Sequence, residues 1–417
     1  MEQLDAKLMI RDIYARKVLD CGGNLTIETE VLAEDGGVGR VTVPSGTADL
    51  YNDSQETDWT EKAVEAINEH IAPEVIGKNI FEQEDIDRVL LSLDGTENKN
   101  ALGAGAIYSV SAAAAETAAA ALKMPLYRYL GGVQAKHMPV PTVNIFGKSS
   151  KSKHFPAIRN IMIIPANEQS FSEQLNVCMK VHRAVKKEIQ ERKVRISDMD
   201  RGEYIQTLSG RDLLRIIKAA VEREKLQMEQ DLTIGIAVTA SELYDSEKKC
   251  YRFSDGEKEK EHVRCMTAQE MISYYEELAA EFPITHFIDP LDMEDWDGWA
   301  ELTGKMGNRV QLAGDSLFQM DVKRLEKGIR LGAANSIVVR AGQATLTEMS
   351  DVIKKAQEAG YTVGVSGNEG ETADSILSDL AVAFHAGQIY AGPLCHMEYV
   401  EKYNRLLRIE EKIGETG

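Results

Sequence analysis

Residues Gln311–Arg340 read QLAGDSLFQMDVKRLEKGIRLGAANSIVVR. A strand-like run ends at Asp315, an amphipathic helix follows, and a second strand-like run ends at Arg340. This is one βα unit, and from about Asp231 onward the pattern repeats. Strand ends fall at Val238, Asp289, Asp315, Arg340, Gly367 and Gly392. After Asp289 they lie about 25 residues apart, the length of one βα unit, and that repeat predicts a (β/α) barrel. Barrel enzymes carry their chemistry at the C-terminal ends of the strands. Here those ends offer Ala237, Ile288, Asp315, Arg340, Gly367 with Asn368, and Tyr390. That set holds too few carboxylates for a metal cage, and neither a lysine nor a histidine base.

Upstream the rhythm differs. Strand-like runs at Leu8–Val18, Asn24–Val31 and Val38–Val43, with Gly36-Gly37 as a turn, precede helices. Asp58 with Glu61 resembles a capping box, and Val64, Ile67 and Ile71 mark one apolar face behind it. The alanine-rich run Gly103–Leu122 reads as close packing. Residues 1–133 therefore form a small α+β domain, with a boundary at Gly131-Gly132, and residues 134–417 form the barrel. The fold class is α/β. The barrel opens with strands at Val140–Ile145 and Asn160–Pro165, joined by the basic loop Gly147–Pro156 with Lys148, Lys151, Lys153 and His154. Tyr244–Arg264 reads as an exposed hairpin with a charged, solvated surface.

The 417 residues suffice for a barrel plus a second domain, and 43% hydrophobic residues support a full core. The net charge of −19 argues against nucleic acid and anionic membrane as partners. No stretch is long and apolar enough to span a bilayer, and the charged N-terminus is not a signal peptide. The five cysteines, Cys21, Cys178, Cys250, Cys265 and Cys395, are scattered and odd in number. They predict neither a disulfide framework nor a zinc site, and fit a reducing cytoplasm.

Several strings then carry a resemblance. Leu93–Lys99 (LDGTENK), Lys123–Tyr127 (KMPLY), Pro139–Ile145 (PVPTVNI), Asp295–Gly298 (DWDG), Ala333–Val338 (AANSIV), Gly370–Thr372 (GET) and Lys402–Glu411 (KYNRLLRIEE) run in order along the chain. The sequence resembles enolase, the phosphopyruvate hydratase of glycolysis. The resemblance implies an N-terminal α+β cap and a C-terminal enolase-type (β/α)8 barrel. It also implies a chemistry in which a lysine abstracts a proton beside a carboxylate, two Mg²⁺ ions stabilise the enediolate and a glutamate assists loss of the hydroxyl.

Carried over by position, that set is nearly erased. The lysine base falls on Arg340, which stays protonated. The glutamate assisting water loss falls on Met199, after Asp198, and the other site glutamate on Asn160. Of three metal-binding carboxylates, two fall on Ala237 and Ile288, and Asp315 alone remains. Asp289 adjoins Ile288, but neighbouring strand residues face opposite sides, so only a bulge would bring it inward; Asp198, Asp289 and Asp315 could hold a cation weakly and are expected instead to satisfy strand ends or helix caps. The loop serine falls on Ala48, the loop histidine on Lys151 and the carboxylate-binding lysine on Tyr390. The family's His-Arg-Ser string reads Gly367-Asn368-Glu369, placing an anion where substrate phosphate would sit. By contrast the resemblance implies a dimer with ion pairs across its axis, Arg16 with Glu411 and Glu28 with Arg408, and all four residues are present.

The leading expectation is therefore a homologue that has lost 2-phosphoglycerate dehydration and acts by binding or assembly. The alternative is an enzyme of different chemistry on an anionic substrate in the barrel mouth, and a working enolase is the least favoured reading. No cofactor is expected, and Mg²⁺ enters only through the resemblance. Partners are a second copy in a homodimer, by extension an active enolase subunit, and a small anion at Arg340, Lys151 and Lys153.

Overall fold

The structure, a computed structural model, describes residues 7–47, 59–147, 158–167, 170–192, 204–205, 208–253 and 264–415. Asp58, Ala48, Lys148, Lys151, Lys153, His154, Asp198 and Met199 lie outside the described residues.

The N-terminal runs form an antiparallel sheet, β1 (Ile10–Leu19), β2 (Leu25–Ala33) and β3 (Val38–Thr42), in that order. Alternation divides its faces: Ile13, Ala15, Ile27, Val31 and Val41 are buried, while Tyr14, Glu28 and Arg40 face outward or lie half-buried. The buried face meets the helix Ala104–Ala121, nearly all of whose residues are inside. The alanines permit this contact. A Cβ on Gly39 of β3 would lie 2.3 Å from the carbonyl oxygen of Ala113, so strand and helix touch through backbone. Ile67 and Ile71 of the following apolar face are fully buried, as their spacing requires.

Eight strands close the barrel. After β4 (Val140–Gly147) comes β5 (Asn160–Pro165), antiparallel to its neighbours; β6 (Tyr204–Ile205) adds two residues beside the end of β4, and β7 (Leu232–Ala237) resumes the ring. A small antiparallel sheet follows as an insertion: β8 (Tyr244–Asp245), β9 (Cys250–Phe253) and β10 (Arg264–Met266). The regular units then supply β11 (Ile284–Ile288), β12 (Gln311–Gly314), β13 (Ser336–Arg340), β14 (Thr362–Ser366) and β15 (Gln388–Gly392), and β15 pairs with β4 to complete the circle. Barrel helices begin on reciprocal caps, Ser170 with Glu173, Thr267 with Glu270 and Thr345 with Glu348, each contributing about 1 kcal/mol.

The cysteine expectation needs correction. Cys250 and Cys265 are joined in a disulfide across β9 and β10, with their Cα atoms 5.4 Å apart. Counting cysteines along the chain misses such a pair, because strand register brings the two together. With Cys250 and Cys265 paired, cysteine usage does not point to a reducing compartment. Among the described residues no helix is long and apolar enough to cross a membrane.

Cap and barrel are hydrogen-bonded to each other at several points. The Thr42 amide at the end of β3 donates to Asp374, 2.8 Å away. Asp87 accepts from the amide and hydroxyl of Thr347 at 2.9 and 2.6 Å, and Ser111 accepts from the Leu346 amide at 3.0 Å. Lys99 pairs with Glu348 at 2.9 Å.

Candidate functional site at the barrel mouth

Interior positions alternate along each strand, so residues at the ends of several parallel strands, and at the start of antiparallel β5, ring the C-terminal mouth. Asn160, Ala237, Ile288, Arg340 and Tyr390 are all half-buried there. Ile288 stands beside Ala237 on one side and Ala313 on the other in the strand register.

Arg340 and Asp315 dominate the mouth. Arg340 Nε donates to both carboxylate oxygens of Asp315 at 2.9 and 2.8 Å, Nη2 adds a further bond to Oδ2, and Nη1 donates to the carbonyl of Gly367 at 3.0 Å. Burial alone would lower the guanidinium's pKa, but Asp315 outweighs it and the net shift is upward. The arginine is thus a fixed cation, already neutralised.

Asp289 satisfies a strand end. Its φ of 46° is left-handed, which turns the carboxylate onto the end of the neighbouring strand. There it accepts from the amides of Asp315 (2.9 Å) and Ser316 (3.0 Å) and from the Ser316 hydroxyl (2.8 Å). Strand alternation no longer governs a residue one step past the strand end. Burial, with Asp315 adding like charge, pushes the Asp289 carboxyl up.

Beneath the mouth lies a polar layer that the sequence reading missed. The Gln388 amide donates to His286 Nε2, leaving the proton on Nδ1, which is 2.7 Å from the Thr285 hydroxyl. Thr285 donates to Thr233 at 2.9 Å. Gln388 Oε1 accepts from Gln311 at 2.7 Å and from the Tyr390 hydroxyl at 2.9 Å. The Tyr390 ring lies over Gly364, where a Cβ would come within 2.3 Å of it. Burial pushes His286 down to about 4, so the imidazole is neutral. It sits two residues before the end of β11, below the position where strand-end logic looks for a base.

Arg159 was also missed. One residue before β5, it bonds Glu242, beyond β7, and Glu369, beyond β14, the latter at 2.9 Å. Glu369 therefore carries a partner and is not a bare anion. The cap reaches the same loop: the amides of Ser45 and Gly46 donate to the carbonyls of Gly370 (3.1 Å) and Glu369 (2.9 Å), and the Ser45 hydroxyl donates to Asp20 at 2.6 Å. Asn368 is buried and donates to the carbonyl of Ala341.

The model of the enolase N-terminal domain matches residues 10–130, and that of the enolase C-terminal TIM barrel domain matches residues 135–417. The chain belongs to the enolase family. Mg²⁺, the ion the enolase resemblance implies, does not suit the described residues at the mouth. Mg²⁺ needs near-octahedral oxygen ligation. Ala237 and Ile288 offer no oxygen, Asp315 has both oxygens on Arg340, and those of Asp289 accept from amides and a hydroxyl. Among the described residues no group of three or more His, Cys, Asp or Glu is placed to hold a metal ion.

The four residues expected at a dimer axis lie on the cap sheet and on the C-terminal helix. Within the chain Arg16 bonds Glu28 and Glu30, the second at 2.7 Å, Arg40 joins the same carboxylates, and Arg408 pairs with Glu401. Glu411 is exposed on the C-terminal helix Met397–Glu415.

Proposed function

We propose that this enolase-family chain does not dehydrate 2-phosphoglycerate and acts through binding or assembly. The observation that carries the reading is the Arg340–Asp315 pair. The position of the base holds a permanently charged guanidinium, and the surviving metal-ligand position is spent on neutralising it. Loss of one general acid or base costs about 10²–10⁴-fold, and loss of a catalytic metal forfeits several kcal/mol of charge stabilisation. These losses are not additive, but all act on one developing charge. The alternative, a different reaction on an anionic substrate, would have that anion compete with Asp315 for Arg340. The assembly we infer is the family-type dimer through Arg16, Glu28, Arg408 and Glu411. A coupled assay on the pure protein with 2-phosphoglycerate and Mg²⁺ tests the proposal. We expect no turnover within about a hundredfold of a typical ~10 s⁻¹ enzyme, and a rate inside that range refutes it.

A further inference from the structure

We infer that Cys250 and Cys265 form a reversible dithiol–disulfide site in which Cys265 attacks and Cys250 resolves, with a small organic disulfide as oxidant. Cys265 faces Arg252 across the β9–β10 ladder, and Cys250 lies two residues from Arg252, on the same side of the strand. The two cysteines are therefore diagonal neighbours. Their Cα separation of 5.4 Å falls within the range a disulfide spans without moving the backbone. Their surroundings differ. Cys265 is exposed on the edge strand, whereas Cys250 is only 5% exposed. A reagent in solution meets Cys265 first.

The site adjoins the barrel mouth. Tyr251, next to Cys250, is buried; its hydroxyl accepts from the Asp292 amide and donates to Asp295, both at 2.9 Å. Asp292 and Asp295 belong to the loop that begins at Asp289. The Arg252 amide donates to the carbonyl of Leu243 at 2.7 Å, next to Glu242, which bonds Arg159. The closed bridge clamps β10 beside this anchorage. Open, β10 keeps only three ladder positions, opposite Tyr251, Arg252 and Phe253.

The chemistry balances as thiol–disulfide exchange. The Cys265 thiolate attacks one sulfur of RSSR, that S–S bond breaks, and RS⁻ leaves a mixed disulfide on Cys265. The Cys250 thiolate then attacks the Cys265 sulfur and expels the second RS⁻. The two protons released by the cysteines end on the two RS⁻ groups. The protein loses two electrons and RSSR gains them.

The test uses the full chain, reduced, desalted, incubated with oxidised glutathione, alkylated and digested with trypsin. Wild type should yield residues 250–252 linked to residues 265–305, the pair separating on reduction. Cys250→Ser should accumulate a glutathione adduct on Cys265, and Cys265→Ser should leave Cys250 without one. Both cysteines alkylated after oxidation, or an adduct on Cys250 in Cys265→Ser, would overturn the assignment. Hydrogen exchange tests the coupling to the mouth: the Asp292 amide should exchange several-fold more slowly in the oxidised protein, and equal rates would remove that part of the inference.

Discussion

Arg340 and Asp315 sit at the ends of adjacent strands and share a two-oxygen ion pair, with side-chain exposures of 28% and 14%. Removing one member leaves the other poorly solvated. Breaking a fully buried pair costs about 3–5 kcal/mol, and partial exposure here places Asp315→Ala toward the lower end. Urea unfolding should show that loss, and the double variant Arg340→Met with Asp315→Leu should recover most of it. If Asp315→Ala unfolds at the wild-type midpoint, the pair is not the structural unit described.

Mg²⁺ should leave the thermal midpoint unchanged at concentrations that saturate ordinary Mg²⁺ enzymes, because ligand stabilisation follows affinity for the folded state. The motive is the missing oxygen set at Ala237 and Ile288. A saturable rise at micromolar Mg²⁺ that disappears in Asp315→Ala would contradict it.

His286 predicts a pH dependence. Its ordinary value near 6.5 applies to the unfolded chain, and burial holds the folded form at about 4. Between these values the unfolded chain binds more protons, so this group's contribution to stability falls as pH drops from about 6.5 to about 4. The full effect is on the order of 3 kcal/mol. Other acids, Asp289 among them, titrate with the opposite sign, so the informative quantity is wild type minus His286→Gln across pH. A flat difference would show that His286 is not desolvated as described.

The dimer should appear in light scattering at micromolar protein, and Arg16→Glu with Arg408→Glu should weaken it. Arg16 already holds Glu28 and Glu30 within its own subunit. Association would therefore exchange partners more than create new pairs, and each pair alone contributes little. A clean monomer, or a dimer indifferent to both substitutions, would end the interface assignment.

The βα repeat made the barrel legible from Asp289 to Gly392, and with it the residues at strand ends. What those residues do to one another was not legible. Along the sequence Arg340 and Asp315 are a cation and a metal-ligand remnant 25 positions apart, and only adjacency of β12 and β13 makes them partners. Arg159, Glu242 and Glu369 come from three distant segments that meet only when the barrel closes. In the Tyr244–Arg264 hairpin, the register that sets Cys265 opposite Arg252, and so diagonal to Cys250, carries no periodic signal. His286 lay hidden because strand-end reasoning looks one layer higher.

The bond from the Thr42 amide to Asp374 joins residues 332 positions apart. Chains leave the ribosome N-terminus first, at ~5–20 residues per second, so β3 would wait roughly 15–70 s for the residue that completes its end. During that interval the cap is a nascent domain with unsatisfied backbone and an uncovered docking face. Its native seat exists only once nearly the whole chain has been made, so truncation anywhere before Asp374 should yield a cap that chaperones hold and proteases find.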